Sequence, residues 1–325
     1  RINPLMHYLK IGRWHDFPTR PGMESGRKPA SMSEAPPCFP EERWGDVVAP
    51  QFESAPSVDI IVPVYKDRVL TLRCIYSILT ARYKTPFQLV VINDASPEPE
   101  LVADLERLAV RGLFTLLHND RNRGFVETVN SGMALHPERD VVLLNSDTEV
   151  YGNWLDRLCT AAYRHSDTAS VTPLSNNATI CSYPRFLHDN PFPLEIDYAD
   201  LDALAARVNA GVETEAPTGV GFCMYMKRHA LNQIGLFDEA AFGKGYGEEN
   251  DWCQRAIQQG WRNLIAADVF VRHFGSASFQ GERNKRVADA LRVLARRHPG
   301  YGAQVEQFIG ADPLREARRR LDWAR

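Results

Sequence analysis

The sequence contains no apolar run approaching the ~18 residues of a membrane-spanning helix. Its six cysteines, Cys38, Cys74, Cys159, Cys181, Cys223 and Cys253, form no CxxC pair, and the nearest two stand 22 residues apart. That leaves a zinc ribbon or a thioredoxin-like motif unsupported and favours reduced, buried, small apolar side chains in a cytosolic protein. Neither sign of charge dominates: Lys+Arg 38 against Asp+Glu 41 gives a net charge of −3. A chain so balanced offers no broad electrostatic reason to bind nucleic acid. Val64-Tyr65-Lys66-Asp67 stands where a GxGxxG turn would follow the first strand. Gly219-Val220-Gly221 lacks a third glycine and begins a strand rather than following one, so a dinucleotide oxidoreductase is disfavoured. P-loop, HExxH and GxSxG patterns are missing as well. No charged-then-apolar leader follows Arg1, and the expectation is an excised piece of something longer.

What is present is enough apolar sequence, 44% of 325 residues, to bury a sizeable core. Residues 1–56 are rich in proline and glycine with weak apolar periodicity, and are expected as an arm or linker, with a short helix near Pro4–Ile11. From Val58 the pattern alternates. Val58–Val64, Phe87–Ile92, Phe114–Leu117 and Val141–Leu144 predict strands. The helically spaced apolar residues 70–79, 101–108 and 125–135 lie between them. Such alternation predicts a mostly parallel sheet with helices on both faces, whose ligands bind beyond the carboxyl ends of the strands. Further strands are expected at Ala169–Pro173, Gly221–Lys227 and Leu264–His273, and helices at 153–165 and 248–259. Residues 174–200 look loop-rich. Residues 281–325 are basic and are expected as a helical extension, with 57–280 as the main domain.

The acids fall at the expected strand ends. Asp94 follows the second strand, and Asn145-Ser146-Asp147-Thr148-Glu149 follows the fourth. Asp147 and Glu149 in such a turn suit a hard divalent ion completed by water and phosphate; capping the helix near Asn153 explains them equally well. Asp94 alone also suits an ordinary turn or N-cap. In Phe242-Gly-Lys-Gly-Tyr-Gly-Glu-Glu-Asn-Asp-Trp252, three glycines precede Glu248, Glu249 and Asp251 in the first turn of a helix. The helix dipole favours some of that acidity, but three acids exceed what capping needs, and one of them could serve as a general base. His273 closes the last expected strand; taken alone, a histidine there is more often structural than a ligand.

In this order the motifs resemble family 2 glycosyltransferases with a GT-A, Rossmann-like fold, over residues 57–280. The resemblance rests on Ile60–Tyr65, Val91–Ser96, Asn122-Arg-Gly-Phe125 with Asn130, Leu144–Val150, Gly235–Glu239, Gly247–Trp252 and His273–Ser276. It implies donor contacts from Pro63, Tyr65, Asp94, Arg123, Gly124, Asn130, Asn145 and Ser146, with Asp94 reading the base of a UDP-, TDP- or GDP-sugar. It implies Mg²⁺ or Mn²⁺ at Asp147, with Glu149 and His273 as further ligands. Glu249 aligns with the catalytic base, where the family has Asp, so Glu248 and Asp251 stay open as alternatives. The implied activity is an inverting, hexosyltransferase-type transfer to a hydroxyl of a saccharide or lipid-linked saccharide. Asn3–Gly12 and Ala311–Arg315 resemble segments of large multi-domain bacterial glycosyltransferases. That implies neighbouring domains, surface polysaccharide (cell envelope) biosynthesis, and a cytoplasmic location at the inner face of the membrane. The basic tail suits peripheral contact with an anionic membrane or, more simply, a solvated helix face. Rival readings are a non-catalytic binding module of this fold and a sugar-phosphate nucleotidyltransferase, which would want a Gly-rich loop after the first strand.

Overall fold

β-Branched runs with side chains apolar on both sides form strands that must be covered twice. β1 (Val58–Val64) shows this: Ile60, Val62 and Val64 enter one core, and Ile61 enters the other. The computed structural model describes residues 41–191, 194–275 and 280–325. Most of the expected arm, its helix near Pro4–Ile11 included, lies outside them. What is described of the arm packs down: Trp44 and Val47 are buried, and Arg111 donates to both of their carbonyls.

β1 pairs in parallel with β2 (Phe87–Asn93) and β4 (Asp140–Leu144), and β2 with β3 (Thr115–His118). β8 (Cys223–Met226) then runs antiparallel against β4 and β6 (Thr168–Leu174). β9 (Arg262–Phe270) lies parallel to β6, with β7 (Glu213–Ala216) antiparallel at the edge. The result is one eight-stranded sheet in the order β3-β2-β1-β4-β8-β6-β9-β7. A separate two-residue pair joins β5 (Thr148–Glu149) to β10 (Arg272–His273).

On one face lie α1 (Arg68–Thr80), α2 (Pro99–Val110), α4 (Trp154–Arg164), α5 (Tyr198–Val208) and α11 (Arg315–Ala324). On the other lie α3 (Phe125–Met133), α6 (Arg228–Ile234), α7 (Glu239–Phe242), α8 (Glu248–Gln258), α9 (Gln280–Arg297) and α10 (Tyr301–Ala311). The sheet is thus mostly parallel and covered on both sides, as expected. Two features go beyond what was expected. Beyond residues 174–200, expected to be loop-rich, the chain forms α5 and β7, because Leu201, Leu204 and Ala205 bury a stripe against the first core. The basic C-terminal segment packs into both cores: Leu294, Tyr301 and Val305 into one, Leu314, Ala317 and Leu321 into the other. Among the described residues, no helix is long and apolar enough to cross a membrane.

Close packing between α3 and the sheet requires glycine at position 132, where an added Cβ would lie 2.8 Å from Ile61 Cγ2, a stiff branched atom. Gly310 on α10 has nothing within 4 Å. Gly132→Ala should therefore destabilise the fold by about 1–3 kcal/mol through overpacking. Gly310→Ala should stabilise it by about 0.5–1 kcal/mol through helix propensity. Paired denaturant titrations should give opposite signs.

Candidate active site

The topology delivers several chain segments to one edge. β1, β2, β4, β6 and β9 end there, and the antiparallel β8 begins there. α8 leads into the far end of β9, so its N-terminus, with Glu248 and Glu249, stands at the same edge.

Asp94 sits just past β2 and is buried. Its Oδ1 accepts from Arg123 N at 2.8 Å and Asn119 Nδ2 at 2.7 Å; its Oδ2 accepts from Gly124 N at 2.8 Å. A carboxylate offers about four lone-pair sites. Three are used to fold the Asn119–Gly124 loop over the strand end, and one, on Oδ2, is left for another donor. Gly124 is held at φ 84°, and a Cβ there would lie 2.8 Å from Lys244 Cγ, so the glycine loop before α8 rests on this turn. Pro63 and Tyr65 stand at the end of β1 beside it. Val64 O accepts from Asp94 N, so Pro63 turns toward β4, beyond the last β1–β4 pair at Ile61, where a missing N–H breaks no ladder bond. Asn130 is a correction. Its amide donates to Phe237 O and Glu239 Oε1 and accepts from Phe237 N, so no donor group remains for a nucleotide.

Asp147 and His273 meet because β5 and β10 pair, with His273 opposite Thr148. Asn145 N donates to Phe222 O, and Thr148 Oγ1 closes the Asn145–Ser146–Asp147 turn by donating to Asn145 O. His273 Nε2 lies 3.4 Å from Asp147 Oδ1, and the imidazole stacks on Phe222 at 5.3 Å. Its Nδ1 is 2.7 Å from the Asn177 carbonyl, which only accepts, so Nδ1 carries a proton; Nε2 faces Asp147, donating to it when the ring is charged and able to offer a lone pair to a cation when the ring is neutral. Metal-binding histidines are oriented by this same kind of backbone contact. Burial disfavours a charged imidazole there, yet the Asp147 charge and hydrogen bond and the Asn177 carbonyl outweigh it and raise the His273 pKa. The spot therefore favours positive charge.

Among the described residues no three His, Cys, Asp or Glu side chains gather as a ready-made metal cluster. Two protein ligands fit a Mg²⁺- or Mn²⁺-type site whose other positions are filled by phosphate and water. Glu149 does not belong to that set, nor does it cap the following helix. Arg73 Nε at 2.8 Å, Arg272 Nη1 at 3.1 Å and Tyr151 OH at 2.9 Å occupy its carboxylate.

Of the three acids on α8, Asp251 is fully buried and committed to Arg255 at 2.8 Å, His298 at 2.9 Å and Arg297 at 3.4 Å. It holds α8 in place and is no longer a candidate base. Glu249 is half-buried, its carboxyl 3.9 Å from where a Cβ on Gly221 would lie, next to the Phe222 that carries His273. Glu248, beside it, is buried. Burial raises the pKa of both carboxyls.

A family model described as glycosyl transferase family 2 matches residues 59–235, more than half of the chain. The chain belongs to glycosyl transferase family 2. No curated protein sequence matches it. Solved structures similar to it include the mannosyltransferase PcManGT from Pyrobaculum calidifontis in complex with GDP-Man and Mn²⁺. The TM-score is 0.54 at 19% identity, covering 87% of this chain and 79% of that one. GalNAc-T7 with UDP, GalNAc and Mn²⁺ is similar at TM-score 0.54 and 17% identity; the match covers 84% of this chain and 56% of that longer one. The fold is thus GT-A, and the protein is a glycosyltransferase.

Some residues of this family 2 site carry no strong local signal. Asn119 was reachable only as the third ligand of a carboxylate, and Phe222 only as a neighbour of His273. Asn176 grips both backbone atoms of His273, accepting from N at 2.8 Å and donating to O at 2.9 Å. The Asn176-Asn177 pair in a loop was the one visible hint.

If Asp94 holds the 119–124 loop as described, Asp94→Asn sets an amide N–H₂ against a donor that has no other acceptor. The expected loss is about 1–3 kcal/mol of stability. Hydrogen exchange at the Arg123 and Gly124 amides should accelerate while strand amides stay protected.

Proposed function

We propose that this glycosyltransferase moves a sugar from a nucleotide-sugar donor to a hydroxyl of a saccharide or lipid-linked saccharide, with inversion. The observation that carries the reading is the meeting of Asp147 and His273 at the strand edge, with Glu249 across Gly221–Phe222 from them. PcManGT and GalNAc-T7, with their GDP-Man, UDP and Mn²⁺, support a nucleotide-sugar donor and a divalent ion.

In this reading Asp147 and His273 hold Mg²⁺ or Mn²⁺. When bound, the ion would offset the negative charge that develops on the departing diphosphate. Asp94 keeps the Arg123–Gly124 turn in place and offers its remaining Oδ2 lone pair to an N–H of the base. Pro63, Tyr65, Asn145 and Ser146 line the same edge. Glu249 accepts the proton of the acceptor hydroxyl as that oxygen bonds to the anomeric carbon. The bond from that carbon to the phosphate oxygen breaks on the opposite side, and the electron pair leaves with the nucleoside diphosphate. One displacement inverts the centre, and no covalent enzyme intermediate forms. Residues 57–280 carry this chemistry, with 281–325 bracing it. The likeness of Asn3–Gly12 and Ala311–Arg315 to multi-domain bacterial enzymes supports surface polysaccharide synthesis at the inner face of the membrane, beside further domains.

The test is release of nucleoside diphosphate from UDP-, TDP- and GDP-sugars with Mn²⁺ and with a chelator. One donor should be turned over only with the metal. Asp147→Ala should abolish that dependence together with the activity. Glu249→Gln should keep donor affinity while transfer falls by about 10²–10⁴-fold, the usual worth of a general base. Tight donor binding with no turnover across a broad acceptor panel would instead mark a binding module.

A further inference from the structure

The side chain of Glu98 does not serve the helix it precedes. Glu98 is the N-cap residue of α2, and its carbonyl accepts from Val102 N, but its carboxyl makes no capping bond there. It reaches across to α1 instead: Oε1 accepts from Asp67 N at 3.0 Å and Oε2 from Arg68 N at 3.1 Å. Amides at a helix start lack intrahelical acceptors and favour a negative partner. The contact closes a loop. Tyr65-Lys66-Asp67 leaves β1 at Val64, whose carbonyl accepts from Asp94 N at 2.8 Å, and enters α1 at the two amides that Glu98 holds. The segment is therefore tied at both ends to one partner, the turn Asp94–Glu98. That turn is itself pinned: Ser96 N donates to Asn93 Oδ1 at 2.9 Å, and Glu98 N to Ser96 Oγ at 3.2 Å. Asp67 sits at φ 70°, where a residue other than glycine stays only if its neighbours hold it. One helical turn further on, Arg68 Nε bonds Asp104 of α2 at 2.5 Å.

We propose that Glu98 is a positioning residue for the donor base: by bridging the turn after β1 to the turn after β2, it fixes the spacing of Tyr65 and Asp94. This rests on the reading that those two residues contact the base. Tyr65 is an exposed aromatic at the end of β1, and Asp94 Oδ2 keeps one lone pair beyond its bond to Gly124 N. A ring contact and an edge hydrogen bond act together on one flat, rigid base only when the distance between them is held. Without the bridge, the Tyr65–Asp67 segment has to be ordered when the donor binds, and that entropy is lost from affinity. Glu98 also fills the start of α1, where Asp67 Oδ1 already accepts from Leu70 N at 3.2 Å. The diphosphate therefore has no open amide pair there, and the influence of Glu98 falls on the base end of the donor.

Calorimetry can separate the two ends of the donor. UDP, TDP and GDP are titrated into the full chain with Mn²⁺, and inorganic pyrophosphate serves as the probe that lacks a base. Glu98→Ala should raise the Kd of the nucleoside diphosphate that the wild type binds by about tenfold, and leave that of pyrophosphate within about twofold. Glu98→Gln keeps one acceptor oxygen and should recover part of the loss. In turnover, the donor KM of Glu98→Ala should rise while kcat at saturating donor holds, the mark of lost uniform binding. Without any ligand, hydrogen exchange at the Asp67 and Arg68 amides should accelerate in the same variant. A merely structural role would weaken pyrophosphate as much as the nucleotide and lower kcat with it. Equal losses for the two probes overturn the proposal, as does wild-type nucleotide affinity in Glu98→Ala or unchanged exchange at the two amides. If Glu98→Ala does not fold, Glu98→Gln carries the same comparison, and a nucleotide Kd equal to wild type there overturns it. Tyr65→Ala keeps the two readings apart. Wild-type nucleotide affinity in that variant sinks the base contact itself, whereas a loss there beside an unaffected Glu98→Ala sinks only the role given to Glu98.

Discussion

A pair of two-residue strands holds the site together. Thr148 and Glu149 are bonded to Arg272 and His273 across more than a hundred residues of chain. A ladder this short has little intrinsic stability. Its register is secured by the side chains around it: Glu149 is clamped by Arg73 of α1 and by Arg272 of the facing strand, and Arg272 lies over the rings of Phe274 and Tyr198. Phe274 N adds a bond to Asp147 O at 3.0 Å. A slip by one residue would turn His273 away from Asp147, because side chains alternate along a strand. The proposed cation site at Asp147 and His273 depends on that register.

This explains why two acids in one turn have different fates. Asp147 faces an imidazole whose other nitrogen is fixed by a carbonyl; Glu149, two residues on, faces two guanidinium groups. The same contrast recurs on α8, where Asp251 is tied to Arg255, Arg297 and His298, while among the described residues Glu248 and Glu249 form no ion pair. Carboxylates surrounded by arginines are occupied. Those left to burial have raised pKa values and retain capacity to exchange protons. Environment sorts the acids into braces and proposed reactants, and residue type does not.

The same distinction marks the limit of what could be read in the sequence. The central strands were legible because apolar β-branched runs admit few alternatives, and their ends located Asp94, Asp147 and His273 at one edge. α8 and its acids were legible from glycines followed by a charged first turn. The donor role assigned to Asn130, the metal role of Glu149 and the base role of Asp251 were less secure. Each is set by partners distant in sequence: Phe237 and Glu239, Arg73 and Arg272, Arg255 and His298. α5 and β7 were missed because prolines and asparagines before them weakened the local pattern, and only packing against α11 and β9 completes their apolar faces.

The family match ends at residue 235, before α8, while the proposed base lies at 249. What fixes α8 comes later still. An added Cβ on Gly247 would lie 3.1 Å from Ala290 and 3.3 Å from Leu294. His298 Nε2 bonds Asp251, its Nδ1 meets Gln258, and Gln304 accepts from Gln254. Tyr301 is buried in the same core. The C-terminal helices are therefore the outer wall of the helix that carries Glu248 and Glu249, and the placement of Glu249 depends on residues far outside the segment that identifies the family. Sequence divergence in that wall can change how the proposed base is held without altering any of the motifs at the strand ends.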